Sequence, residues 1–150
     1  MTALERWSLH LAALLTAGSG FLYGWLRYFG QRTGEFGPEA HPLQGLLQHL
    51  HVLAAPALVL ALGVILKGHV DPMIRGGKLK FLGTGLWLLL GLAPMVLGGY
   101  AVQVAVDPAW RKWWAWVHGL ASLLFLGAYL VHLTRKREPI SVPEARPDAV

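Results

Sequence analysis

The chain has 150 residues, the size of one domain, with 55% apolar residues, 14% charged residues and a net charge of +5. It contains no cysteine, which excludes disulfides, iron–sulfur clusters, thiolate chemistry and covalent haem attachment through Cys-x-x-Cys-His. The excess of Lys and Arg is distributed as the positive-inside rule requires of a membrane protein, so no nucleic-acid partner is expected.

Four stretches, 7–26, 40–66, 81–106 and 113–134, contain no Asp, Glu, Lys or Arg. Each reaches the roughly 20 residues needed to cross about 30 Å of hydrocarbon, and none alternates polar and apolar faces as a soluble helix does. The expected fold is all-α: an integral membrane four-helix bundle, up-down-up-down, in a lipid bilayer. The membrane domain covers 1–137, with helices at about 4–29, 43–67, 79–106 and 110–135.

The first helix ends in an aromatic cluster, Trp25, Tyr28 and Phe29, suited to the membrane interface. It is read as a retained span, because no small-residue cleavage site precedes Trp25. An outer loop rich in Gly and Pro follows at 30–42. The second helix holds Pro56, tolerated in a membrane and expected to kink it. A basic inner loop follows at 68–80, with turn signals at Asp71-Pro72 and Gly76-Gly77. The third helix carries Pro94 and Gly98-Gly99. It joins the fourth through a very short loop at Asp107-Pro108, so these two helices are expected to be antiparallel neighbours. The fourth opens on Trp110, Trp113, Trp114 and Trp116, an interfacial anchor. The tail at 138–150 holds three prolines and is expected to be disordered. No internal repeat is evident. With alternating helices, Arg6, Lys67, Arg75, Lys78, Lys80, Arg135, Lys136 and Arg137 fall on one side. Arg27, Arg32, Arg111 and Lys112 fall on the other. That bias puts both termini in the cytoplasm.

Histidines carry the functional signal. His118 and His132 are fourteen residues apart, just under four turns, so both leave one face at depths about 21 Å apart. In this topology His10 lies at the inner depth with His132, and His51 or His49 at the outer depth with His118. Ionisable residues inside a membrane are costly and face the bundle interior, which makes them functional candidates. Bis-histidine ligation of b-type haem needs two neutral imidazoles across a planar ring, and two depth-matched pairs meet that need twice. His49 and His51 are about 200° apart around their helix, so one of them is the ligand; His51 is favoured and His49 is its alternative. For each histidine alone, a helix–helix hydrogen bond is the plainer reading. His41, before Pro42, reads as a solvated turn residue, and His69 as a candidate for proton handling or a quinone contact. Glycines 18, 20, 24, 91, 98 and 99 suit close approach of helices or of a flat ring.

With these residues in place the chain resembles the bacterial dihaem cytochrome b family, which includes membrane subunits of formate dehydrogenases and nickel–iron hydrogenases. His118 and His132 match that family's fourth-helix pair. His10, in Glu5-Arg6-Trp7-Ser8-Leu9-His10, matches its first-helix ligand, and Ser19-Gly20 resembles a Ser-Gly pair downstream of it. The segment Leu50-His51-Val52-Leu53-Ala54-Ala55-Pro56 looks like the second-helix position. Three residues separate Arg6 from His10, where two are expected in formate dehydrogenase subunits, which points to a stand-alone branch. The resemblance implies two non-covalent b-type haems ligated by His10, His51, His118 and His132 in a cell inner membrane. It also implies electron exchange between a quinone or quinol and a redox partner, such as a cytochrome c or an oxidoreductase subunit. Two other classes compete: a non-haem protein moving metal ions or protons, disfavoured because the spans lack carboxylates, and a structural subunit whose histidines only pack.

Overall fold

The structure is a computed structural model that describes residues 2–76 and 83–134. It is mostly helical, with four helices long and apolar enough to cross a membrane. The expected start of the third helix at 79, the end of the fourth at 135 and the tail at 138–150 lie outside the described residues.

Helix α1, Ala3–Tyr28, begins with a reciprocal cap: the Thr2 hydroxyl accepts the Glu5 N–H at 3.2 Å, and the Glu5 carboxylate accepts the Thr2 N–H at 2.7 Å. This satisfies two of the N–H groups that a helix start leaves open. The following loop is not irregular, as its Gly and Pro content suggests. Strands β1, Arg32–Gly34, and β2, Gly37–Glu39, form a small antiparallel hairpin, the one departure from an all-helical fold among the described residues. Gly37 closes it with a φ of 119°, a conformation favouring glycine.

Helix α2, Leu43–Ile65, carries Pro56 in its interior. It then runs on through a π-helical turn, Leu66–Val70, into α3, Asp71–Arg75, where an Arg75–Asp71 ion pair bridges one turn at 2.8 Å. The helical course therefore extends beyond the expected end at Lys67. Pro72 sits in the first turn of α3, where its missing N–H would be unpaired anyway; Asp71-Pro72 starts a helical segment rather than ending one. The whole run spans 33 residues, about 50 Å, longer than the roughly 30 Å of a bilayer's hydrocarbon. Helix α4, Thr84–Val104, contains Pro94, and α5, Pro108–Thr134, follows after three residues. The Asp107 carboxylate accepts the Trp110 N–H at 2.9 Å, and Pro108 opens α5, both common signals of a helix start.

Packing divides into two small clusters. Leu9, Ala12 and Ala13 of α1 meet Leu58 of α2, with Tyr129 of α5 and Leu62 of α2 beside them. Met95 of α4 meets Ala121 and Phe125 of α5, with Leu62, Leu88, Leu92 and Val96 around them. Large apolar side chains face outward, among them Leu14, Leu53 and Leu124, each more than 70% exposed. A surface so apolar suits lipid rather than water. The chain has the build of a multi-pass membrane protein.

Candidate functional site

The structure brings His51 and His118 together. Their ring centroids lie 5.9 Å apart, with planes inclined at 67°. Each ring is anchored through Nδ1 to a backbone carbonyl of a third helix. His51 Nδ1 donates to the Thr16 carbonyl at 2.9 Å, and His118 Nδ1 donates to the Met95 carbonyl at 2.8 Å. A carbonyl can only accept, so both Nδ1 atoms carry a proton, and in the neutral imidazole that leaves the lone pair on Nε2. That is the ligand-ready tautomer, and the backbone bond to the other nitrogen raises the ligand's basicity and fixes its orientation.

Neighbouring residues support this pair. Gly20 lies against the His51 ring, and Gly98 and Gly99 lie against His118. The Ser19 hydroxyl donates to the Leu15 carbonyl at 2.6 Å and lies 3.2 Å from the Thr16 carbonyl. The Thr16 hydroxyl is buried and has no hydrogen-bond partner among the described residues, a polar atom left over at the site. His51 is half-buried whereas His49 is exposed, as expected from their angular separation on α2.

The inner histidines are held differently. His10 Nδ1 bonds the Tyr129 hydroxyl of α5, and the His10 ring meets Trp7 edge-on at 5.9 Å. His132 Nδ1 bonds the Thr84 hydroxyl of α4 at 2.9 Å. Tyr129 lies one turn before His132 on α5, so His10 approaches α5 close to the depth of His132. Hydroxyls can donate or accept, so the tautomer is fixed only in the outer pair. All four candidate ligands share one habit, an Nδ1 anchor on another helix.

The remaining histidines behave otherwise. His41 Nδ1 accepts the Leu43 N–H at 3.2 Å, and its carbonyl accepts the Gln44 N–H at 2.8 Å, so it caps α2. His69 is half-buried in the π-helical turn that follows the C-terminal end of α2.

The donor set discriminates between kinds of metal centre. A bare zinc-type ion takes three or four protein ligands. Among the described residues no three His, Cys, Asp or Glu side chains are grouped to hold one. Two imidazoles fit a metal that arrives with its other donors in a ring. Metal–imidazole bonds are about 2 Å long, so rings on opposite sides of one metal have centroids roughly 6 Å apart. The outer pair already has that spacing.

No protein-family model, curated protein or solved structure matches the chain. The functional reading therefore rests on the histidines and their partners. Sequence reasoning had reached the four histidines and Gly20, Gly98 and Gly99. It missed Tyr129, Thr84 and the carbonyls of Thr16 and Met95. Tyr129 carried a usable signal, lying one turn before His132 on the same face. Backbone carbonyls carry none, because every residue has one.

Proposed function

We propose that the chain is a membrane-bound dihaem b-type cytochrome that passes electrons across the bilayer. The observation carrying this reading is the outer pair: two imidazoles 5.9 Å apart, each with Nδ1 committed to a carbonyl. His51 and His118 would hold one haem, and His10 and His132 a second.

Several contacts support an up-down-up-down bundle. His51 meets Thr16 while the later Leu58 meets the earlier Leu9 and Ala12, which makes α1 and α2 antiparallel. His118 meets Met95 while His132 meets Thr84, which makes α4 and α5 antiparallel. Tyr28 stacks near Trp116 and His10 bonds Tyr129, the pattern of an antiparallel α1 and α5. With more Lys and Arg on the side of Arg6 and Lys67, both termini lie in the cytoplasm of an inner membrane.

Bound haem supplies one-electron redox chemistry at two depths. The chain's residues would orient the imidazoles through Nδ1; His10, His51 and His118 are half-buried, and His132 is exposed. The fourteen residues from His118 to His132 set the two levels about 21 Å apart along α5. Electrons then move between a quinone pool and a redox protein, either at the outer surface or within the membrane.

The test is the absorption spectrum of purified protein and of His118→Ala and His132→Ala. The reading expects a bis-histidine b-type spectrum that loses a different component in each variant. Spectra unchanged in both variants would refute the assignment.

A further inference from the structure

The two outer histidines sit in matching surroundings. Thr16 and Met95 are both buried, and each offers its carbonyl to an imidazole from the next long helix. Four residues on, Gly20 and Gly99 face those same rings. The match continues toward the inner side: Leu9, Ala12 and Ala13 around Leu58 correspond to Leu88, Gly91 and Leu92 around Phe125. Tyr129 packs on the first cluster, and its counterpart Leu62 packs on the second. One offset of 79 residues carries α1 onto α4, and one of 67 carries α2 onto α5, at every one of these positions. We infer from these correspondences that the four spans are two copies of one helical hairpin, related by a pseudo-twofold axis between His51 and His118.

We propose that Gly20 and Gly99 are equivalent positioning residues of a twofold-symmetric site. Each leaves room for one imidazole to reach its carbonyl, so that Nε2 of both rings remains for a single shared, flat occupant. The nature of that occupant rests on the dihaem reading; the positioning role does not.

A Cβ on Gly20 would lie 2.6 Å from His51 Cε1 and 2.7 Å from Nδ1. Carbon atoms do not approach so closely, so the ring must move, and the crowded Nδ1 is the atom that bonds Thr16. Gly20→Ala therefore breaks the anchor. At Gly99 the same atoms of His118 would lie 3.1 Å away, so the ring must give by less. Gly63 of α2 and Gly127 of α5 have nothing within 4 Å of an added Cβ. They serve as controls for helix propensity alone. The inner histidines break the symmetry: the counterparts of His10 and His132 are Leu89 and Ile65, so only the outer site has two equivalent halves.

The experiment compares Gly20→Ala, Gly99→Ala, Gly63→Ala and Gly127→Ala in the purified full-length protein. It reads haem per chain, the midpoint potential of each haem, and the imidazole 15N shifts of histidine-labelled protein stripped of haem. Gly20→Ala should halve the haem content, leave the potential of the inner haem unchanged, and shift the His51 Nδ1 signal. Gly99→Ala should weaken outer-haem binding about tenfold, the scale of a lost support behind a metal ligand, and shift His118. The two controls should match wild type. Wild-type haem and 15N signals retained in both Gly20→Ala and Gly99→Ala would overturn the proposal, as would equal effects in the controls. If Gly20→Ala does not yield monodisperse protein, Gly99→Ala decides. A wild type that binds no haem would refute the dihaem reading alone, because the 15N shifts still test the positioning.

Discussion

Replacing Tyr129 by Phe separates the hydroxyl from the ring that carries it. The ring packs on Leu9, Ala12, Ala13 and Leu58, and Phe preserves that contact. Only the bond to His10 Nδ1 is lost. Removing the partner of a half-buried polar group costs about 1–3 kcal/mol. The independent figure for groups supporting a metal ligand, about 10–100-fold in affinity, falls in the same range. If His10 ligates haem as proposed, its Nδ1 would donate to the Tyr129 hydroxyl, which would enrich the imidazole and favour the ferric state. Losing that bond should weaken inner-haem binding at least tenfold and raise its midpoint potential. Each tenfold loss confined to the ferric form corresponds to about 59 mV. The assay is a potentiometric titration with optical detection, in which the haem proposed for His51 and His118 would serve as an internal reference. A Tyr129→Phe protein with both potentials and both affinities at wild-type values would refute the role given to Tyr129.

Other outcomes follow from the same contacts. Thr84→Val should loosen His132 and weaken the inner haem, while Thr84→Ser should retain it; equal haem content in the two variants would count against the Thr84–His132 bond. His49→Ala should keep both haems, and His51→Ala should lose the outer one, which a pyridine haemochrome assay reads directly. Phe125→Ala opens space beside Met95 and Ala121. It should lower thermal stability in detergent by less than the about 3–5 kcal/mol typical of a soluble core, because in lipid the released ring stays in an apolar solvent.

Much of the architecture was legible in the sequence because charge-free runs of this length have few other uses. The four spans could be read from where Arg and Lys stop. His118 and His132 could be read from one spacing on one helix. The outer hairpin could not, since Gly34, Gly37 and Pro38 suit a loop as well as a turn between short strands. Nor could the continuation of α2, because Asp71-Pro72 marks a turn and a helix start equally well. The repeat proposed above has no sequence signature for a different reason. It rests on contacts: Thr16 corresponds to Met95, Ala12 to Gly91 and Leu58 to Phe125, so few side chains match in kind. What the copies share is a carbonyl, a glycine four residues later and a histidine on the next long helix. The carbonyls have no sequence signature, and so the outer pair's tautomer became visible only in three dimensions.

The most direct test is the amount of haem b per polypeptide in the purified wild-type protein. Two haems per chain, falling to one in His51→Ala and to one in His10→Ala, is the expected result. A colourless protein, or one whose haem content is the same in wild type and both variants, would contradict the dihaem assignment.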